Sequence, residues 1–175
     1  MRKALLSCVV LLFMLVGCHL QESSNLHNDD WHPTKEQAIE SGLKQEGTDE
    51  SSLLSVENYE GETIVFFEID GALSIANIVE SSAGYSWIRS NPFYDVQVEG
   101  VAKDLPYMSA GFEFETNKGT KGAVLYGKVF DSSIRTMNLL GDGEDRELKV
   151  FNDSRLFYSL HEQPFAFLEV VAVKE

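Results

Sequence analysis

From Thr63 to Val173, short apolar runs alternate with polar breaks about every ten residues, the rhythm of an antiparallel β protein. Thr63 to Ile69, Leu73 to Glu80 and Tyr85 to Ser90 are rich in β-branched and aromatic residues. The breaks between them, Asp70-Gly71 and Ser81-Ser82-Ala83-Gly84, carry turn chemistry, so the pattern predicts an antiparallel meander. Asn91-Pro92 ends it, and the stretch to Pro106 shows little regularity beyond a short strand at Asp95 to Glu99. A second β block follows. Gly111 to Thr116 alternates Phe112 and Phe114 with Glu113 and Glu115, and Ala123 to Phe130 and Ile134 to Leu140 flank the turn Asp131-Ser132-Ser133. Glu147 to Phe151, Arg155 to Leu160 and Phe165 to Val173 complete the block, and the last, apolar on both faces, reads as a central strand.

One helix precedes the strands. Thr34-Lys35-Glu36-Gln37 fits a capping box, Ala38, Ile39, Gly42 and Leu43 form a narrow stripe at helical spacing, and Gly47 is a stop. A helix from Lys35 to about Glu46 is expected, with its stripe packed on one face of the meander. The expected fold class is mainly β (α+β): a short N-terminal helix, an antiparallel meander, then a C-terminal β-sandwich-like unit. Two units follow from this, 34–102 and 103–175, with a boundary near Gly100 to Pro106.

The first residues have a different character. Arg2 and Lys3 precede an apolar run from Ala4 to Val16 broken only by Ser7. That run has the length of a signal-peptide core and is too short to span ~30 Å of hydrocarbon comfortably. Leu15-Val16-Gly17-Cys18 resembles the lipobox of bacterial lipoproteins. The resemblance implies a signal peptide over 1–17, cleavage before Cys18, a diacylglycerol on the Cys18 thiol, and a chain held on the extracytoplasmic face of the cell membrane. Two acyl chains give stable rather than reversible anchoring. Residues 18–33 are polar and lack apolar periodicity, the composition of a flexible tether. The layout of tether, short helix, meander and C-terminal β unit is similar to that of small uncharacterised lipoproteins of Firmicutes, a likeness that implies no activity.

Charge narrows the partners. The chain carries 14 basic and 28 acidic residues, and removing Arg2 and Lys3 with the signal leaves a net charge of −16. Such a surface is repelled by phosphate, so no nucleic-acid partner is expected and lipid rather than electrostatics must hold the membrane. The chain has two cysteines, Cys8 in the signal and Cys18 in the lipobox, so the folded part has no thiol for a disulfide, a nucleophile or a thiolate metal site.

Candidate chemistry is sparse. His161 is the lone histidine of the folded part, read as a loop residue, and any Ser-His-Asp arrangement would need it; no Gly-x-Ser-x-Gly accompanies it. Glu113 and Glu115 share a strand face with carboxyls ~7 Å apart, which suits either a solvated face or an acid–base pair. Asp142-Gly143-Glu144-Asp145 lacks the ligand order of a Ca²⁺ loop, and Gly119 and Gly122 lack the spacing of a phosphate loop. His19, His27 and His32, near Asp29 and Asp30, offer metal-ligand types without preformed geometry. Tyr85, Trp87, Phe93 and Tyr94 are the candidate binding residues: exposed, they form a platform for a sugar, a peptide or a partner protein; buried, they form a core anchored by Trp87. No cofactor or metal is expected. The favoured expectation is a non-enzymatic binding module for a protein or small ligand, with a cell-envelope hydrolase and a cation-binding lipoprotein as alternatives.

Overall fold

A computed structural model describes residues 30–90, 93–94, 104–141, 143, 145–151, 153–162 and 165–174. Cys18, His19, His27, Asp142, Glu144 and the strand expected at Asp95 to Glu99 lie outside the described residues. The protein is mainly β. Among the described residues one α-helix, α1 (Lys35–Gln45), precedes β1 (Leu53–Tyr59), β2 (Glu62–Ile69), β3 (Ala72–Ser81) and β4 (Gly84–Arg89). Then come β5 (Tyr107–Glu115), β6 (Lys121–Val129), β7 (Ile134–Leu140), β8 (Arg146–Lys149), β9 (Leu156–His161) and β10 (Glu169–Lys174).

Every named strand pairing is antiparallel, and the strands form three sheets, ordered β1-β2-β3-β4, β5-β6-β9 and β10-β7-β8. The first sheet is the expected meander with one more strand at its edge. Asp70 and Gly71 both take positive φ, 52° and 80°, the backbone of a tight two-residue hairpin. β1 lies outside the sequence-based expectation because it is a half-exposed edge strand with a bulge between Leu53 and Ser55, which disturbs its alternation.

The sheets stack. Ile64, Phe66, Leu73 and Ile75 of the first sheet meet Phe112, Phe114, Val124, Tyr126 and Leu156 of the second in one core. On the back of the first sheet, Val65, Phe67, Ala76, Ile78 and Trp87 pack under Ala38, Ile39 and Leu43 of α1. On the back of the second, Leu125, Val129 and Phe157 pack against Met137, Leu139, Leu148 and Val170 of the third. The order of layers is therefore helix, sheet, sheet, sheet. β2, β3 and β6 are buried over most of their length because each lies between two layers.

The helix starts as its sequence predicts, with Thr34 Oγ1 accepting from the Gln37 backbone N–H at 3.3 Å. Its stripe reaches the sheet closely because Gly42 has no side chain: a Cβ there would fall inside the Trp87 indole. At the other end of the chain the structure corrects the expected central strand. Phe165–Phe167 form a 3-10 turn, and β10 starts at Glu169 on the edge of the last layer. Val170 faces the core, but Val171 on the outer face is 41% exposed and Phe167 is 75% exposed. Apolarity on both faces arises here without burial on both faces, because among the described residues no layer covers the third sheet.

Two outcomes follow from this packing. Gly42→Val should lower stability by about 3 kcal/mol in urea denaturation, since the Trp87 ring, fixed against Phe67 at 5.3 Å, leaves the added carbons no room. Tyr158 gives a pH dependence. It is stacked on Phe66 at 4.2 Å, and burial pushes its phenol pKa up, with its hydrogen bond to Ser55 opposing and the Glu57 charge adding. Above about pH 10 the unfolded chain loses a phenolic proton that the folded chain keeps. Stability is then full below that pH and falls as pH rises toward the folded-state pKa. Tyr158→Phe should flatten this alkaline loss in denaturation curves taken across that range.

Candidate functional site

The four aromatic candidates do not share one surface. β4 sends Tyr85 and Trp87 to the side covered by α1, where Trp87 is buried and Tyr85 packs beside it. Tyr94 lies on the opposite side of the first sheet. Its backbone bonds to Leu73 at 2.7 and 3.0 Å, and its ring stacks on Phe112 at 3.6 Å in the core between the first two sheets. Burial raises the pKa of its phenol. Phe93 alone of the four is exposed, with the Arg89 guanidinium 5.1 Å from its ring centre. Trp87 and Tyr94 thus serve two different cores.

What the fold does gather is a set of polar residues at one end of the second sheet. The register places Glu113 of β5, Ala123 of β6 and His161 of β9 side by side on one face, and pairs Glu115 with Lys121 at the strand ends. An open groove of about 450 Å³ lies here, lined by Glu113, Glu115, Lys121, Ala123, Glu162 and Ser90, among others. The small side chain of Ala123 keeps the space between its taller neighbours open. Lys121 Nζ stands 3.6 Å from Glu115 Oε2, but both side chains are exposed, so the pair contributes little to stability. Three carboxylates against one ammonium leave the walls rich in hydrogen-bond acceptors, and a ligand seated there must supply donors.

His161, expected in a loop, is the last residue of β9 and is 3% exposed. Arg146, reaching from the third sheet, donates from Nη2 to Ser159 Oγ at 2.7 Å and lies 3.2 Å from His161 Nδ1. With the guanidinium donating, Nδ1 accepts, which is the neutral imidazole with its proton on Nε2. Ser159 Oγ accepts from the same guanidinium, so one cation holds both side chains.

Beneath the groove the layers are tied by polar bonds that sequence reasoning did not single out. Glu62, buried at the start of β2, accepts at Oε2 from Thr116 Oγ1 at 2.6 Å, and Thr116 Oγ1 accepts from the Thr120 N–H at 3.1 Å. Tyr59 donates toward the carbonyls of Lys121 and His161, each at 3.2 Å. Glu62 stands beside a turn like any solvated acid, so its burial has no local signal; the partner is 54 positions away. Among the described residues no group of three or more His, Cys, Asp and Glu is placed to hold a metal ion. Comparison with known protein families, with curated proteins and with solved structures finds no match.

The Glu62 pair generates a stability test. Thr116→Val keeps the volume but removes the hydroxyl, leaving a buried carboxylate oxygen without that donor. A loss of about 1–3 kcal/mol is expected in urea denaturation; an unchanged midpoint would show that solvent replaces the threonine at no cost.

Proposed function

We propose that the mature chain is a lipid-anchored binding module on the extracytoplasmic face of a membrane, taking a protein or small ligand at the groove on the second sheet. The observation that carries the reading is the sequence Leu15-Val16-Gly17-Cys18, placed a short polar stretch ahead of Asp30, where the described domain begins. A thiol at that position, with two acyl chains added, anchors stably, and the acidic surface offers no electrostatic alternative. The groove supports the binding half of the reading. It is an open concavity with Glu113, Glu115 and Lys121 on neighbouring strands of the second sheet, Glu162 just past β9 and Ser90 just past β4, so its geometry is held by the stack beneath it.

The test joins the two halves in the native host. Cells fed an alkyne-tagged fatty acid should label the wild-type protein, and Cys18→Ala should lose the label and leave the membrane fraction. In the same cells, in-cell cross-linking of the lipidated protein should capture a stoichiometric partner or ligand, and Ala123→Trp, which fills the groove floor, should abolish the capture. Turnover of a wall polymer by the purified domain, lost in Glu113→Gln, would replace binding with hydrolysis.

A further inference from the structure

The geometry points to the edge of the first sheet at β4 as a membrane-resting surface, with Trp31 seated at the head-group level of a zwitterionic bilayer. This rests on the lipoprotein reading and adds to it which side of the domain meets the lipid.

The chain enters the domain through a built seat. His32 donates its backbone N–H to the Tyr85 carbonyl, and Tyr85 donates to the His32 carbonyl, both at 2.8 Å. These bonds add His32 to the outer edge of β4 as an isolated bridge. Gly84 makes the approach possible: its φ is +122°, and a Cβ there would fall on the His32 carbonyl oxygen. The chain is thus already fixed two residues before the helix cap at Thr34.

The seat shortens the leash. Thirteen positions separate Cys18 from Trp31, at most ~45 Å of extended chain, and a polar sequence of that length and composition spans ~20 Å on average. A domain of this size is itself roughly 40 Å across. The average leash is therefore shorter than the domain is wide, and the β4 edge stays nearest the acyl chains. Trp31 occupies that edge and is 36% exposed. An indole has an apolar body and one N–H donor, the chemistry that settles at the boundary between head groups and hydrocarbon. The charge balance selects the lipid: at net −16 the mature chain is repelled by anionic head groups, so a zwitterionic surface is the one that admits the ring.

The other tryptophan, Trp87, is buried under α1 and serves as an internal reference. The lipidated mature protein is reconstituted in phosphatidylcholine vesicles whose acyl chains are brominated near the head group, a short-range quencher of indole emission. Quenching of up to about half the emission is expected, the share of one of the two tryptophans, and Trp31→Phe should remove all of that quenching. If the protein floats with the vesicles and its mass shows the diacylglycerol on Cys18, yet wild type and Trp31→Phe are equally unquenched, the seating is overturned and the lipoprotein reading stands. A mature protein without the diacylglycerol mass overturns that reading and the seating together.

Discussion

The first and second sheets bury their facing sides against each other, and every other layer is added to the backs of these two. Among the described residues, nine buried side chains from five strands make that central interior, with Tyr94 and Tyr158 among those packed against them. Because α1 covers one back and the third sheet the other, β2, β3 and β6 have no solvated face. Hydrogen bonds bridge the same interface: Tyr158 to Ser55 at 2.6 Å, Thr116 to Glu62, and Lys128 Nζ to the Gly71 carbonyl at 3.4 Å. A neutral bond of this kind is worth about 0.5–1.5 kcal/mol net, and one to a charged group about 1.5–3 kcal/mol. Their larger effect is on register: strands apolar on both faces carry no alternation to fix their pairing, and a slip by one residue would part Glu62 from Thr116.

The groove is a consequence of where the third layer stops. That layer covers Leu125 and Phe157 on the back of the second sheet. On the same face, Glu113 and Glu115 carry carboxylates where Gly111 carries no side chain, and both are exposed. Arg146 stands at the limit, on a short strand of the third sheet, and ties it to Ser159 and His161 of the second. The polar residues thus gather where apolar burial ends.

Much of this architecture is legible along the chain, for physical reasons that also mark the limit. A strand covered on both sides must be apolar throughout, and Thr63 to Ile69 and Ala123 to Phe130 announce themselves in that way. Asp70-Gly71 announces its hairpin because few residues adopt positive φ. The bulged edge strand β1 has no such requirement and leaves little trace. β10 shows the converse: Val171 is apolar yet exposed, so composition alone misassigns its place in the sheet. For the site, alternation puts Glu113 and Glu115 on one face, and His161 stands out as the one histidine after the helix cap. Their meeting depends on β6 pairing with β9 across two intervening strands, which no local pattern encodes. The aromatic group fails for the same reason. Trp87 and Tyr94 are close in sequence, but their side chains leave opposite faces of the first sheet.

The place where the chain enters and the groove are linked by this topology. In the first sheet the hairpin ends at Tyr59 and Glu62 lie at the same end as Ser81 and Gly84, because successive strands reverse direction. His32 is held at that end beside Gly84, and Tyr59 reaches from that end to the carbonyls of Lys121 and His161 in the second sheet. The seat of the leash and the groove therefore share one end of the stack. On the proposed seating, the groove opens beside the lipid rather than away from it. A ligand would then be met at the membrane surface, where a leash shorter than the domain permits little reorientation. On that reading, the two backbone bonds at His32 set the side of the domain from which the chain departs toward the lipid, and the Gly84 backbone that admits His32 sets it with them.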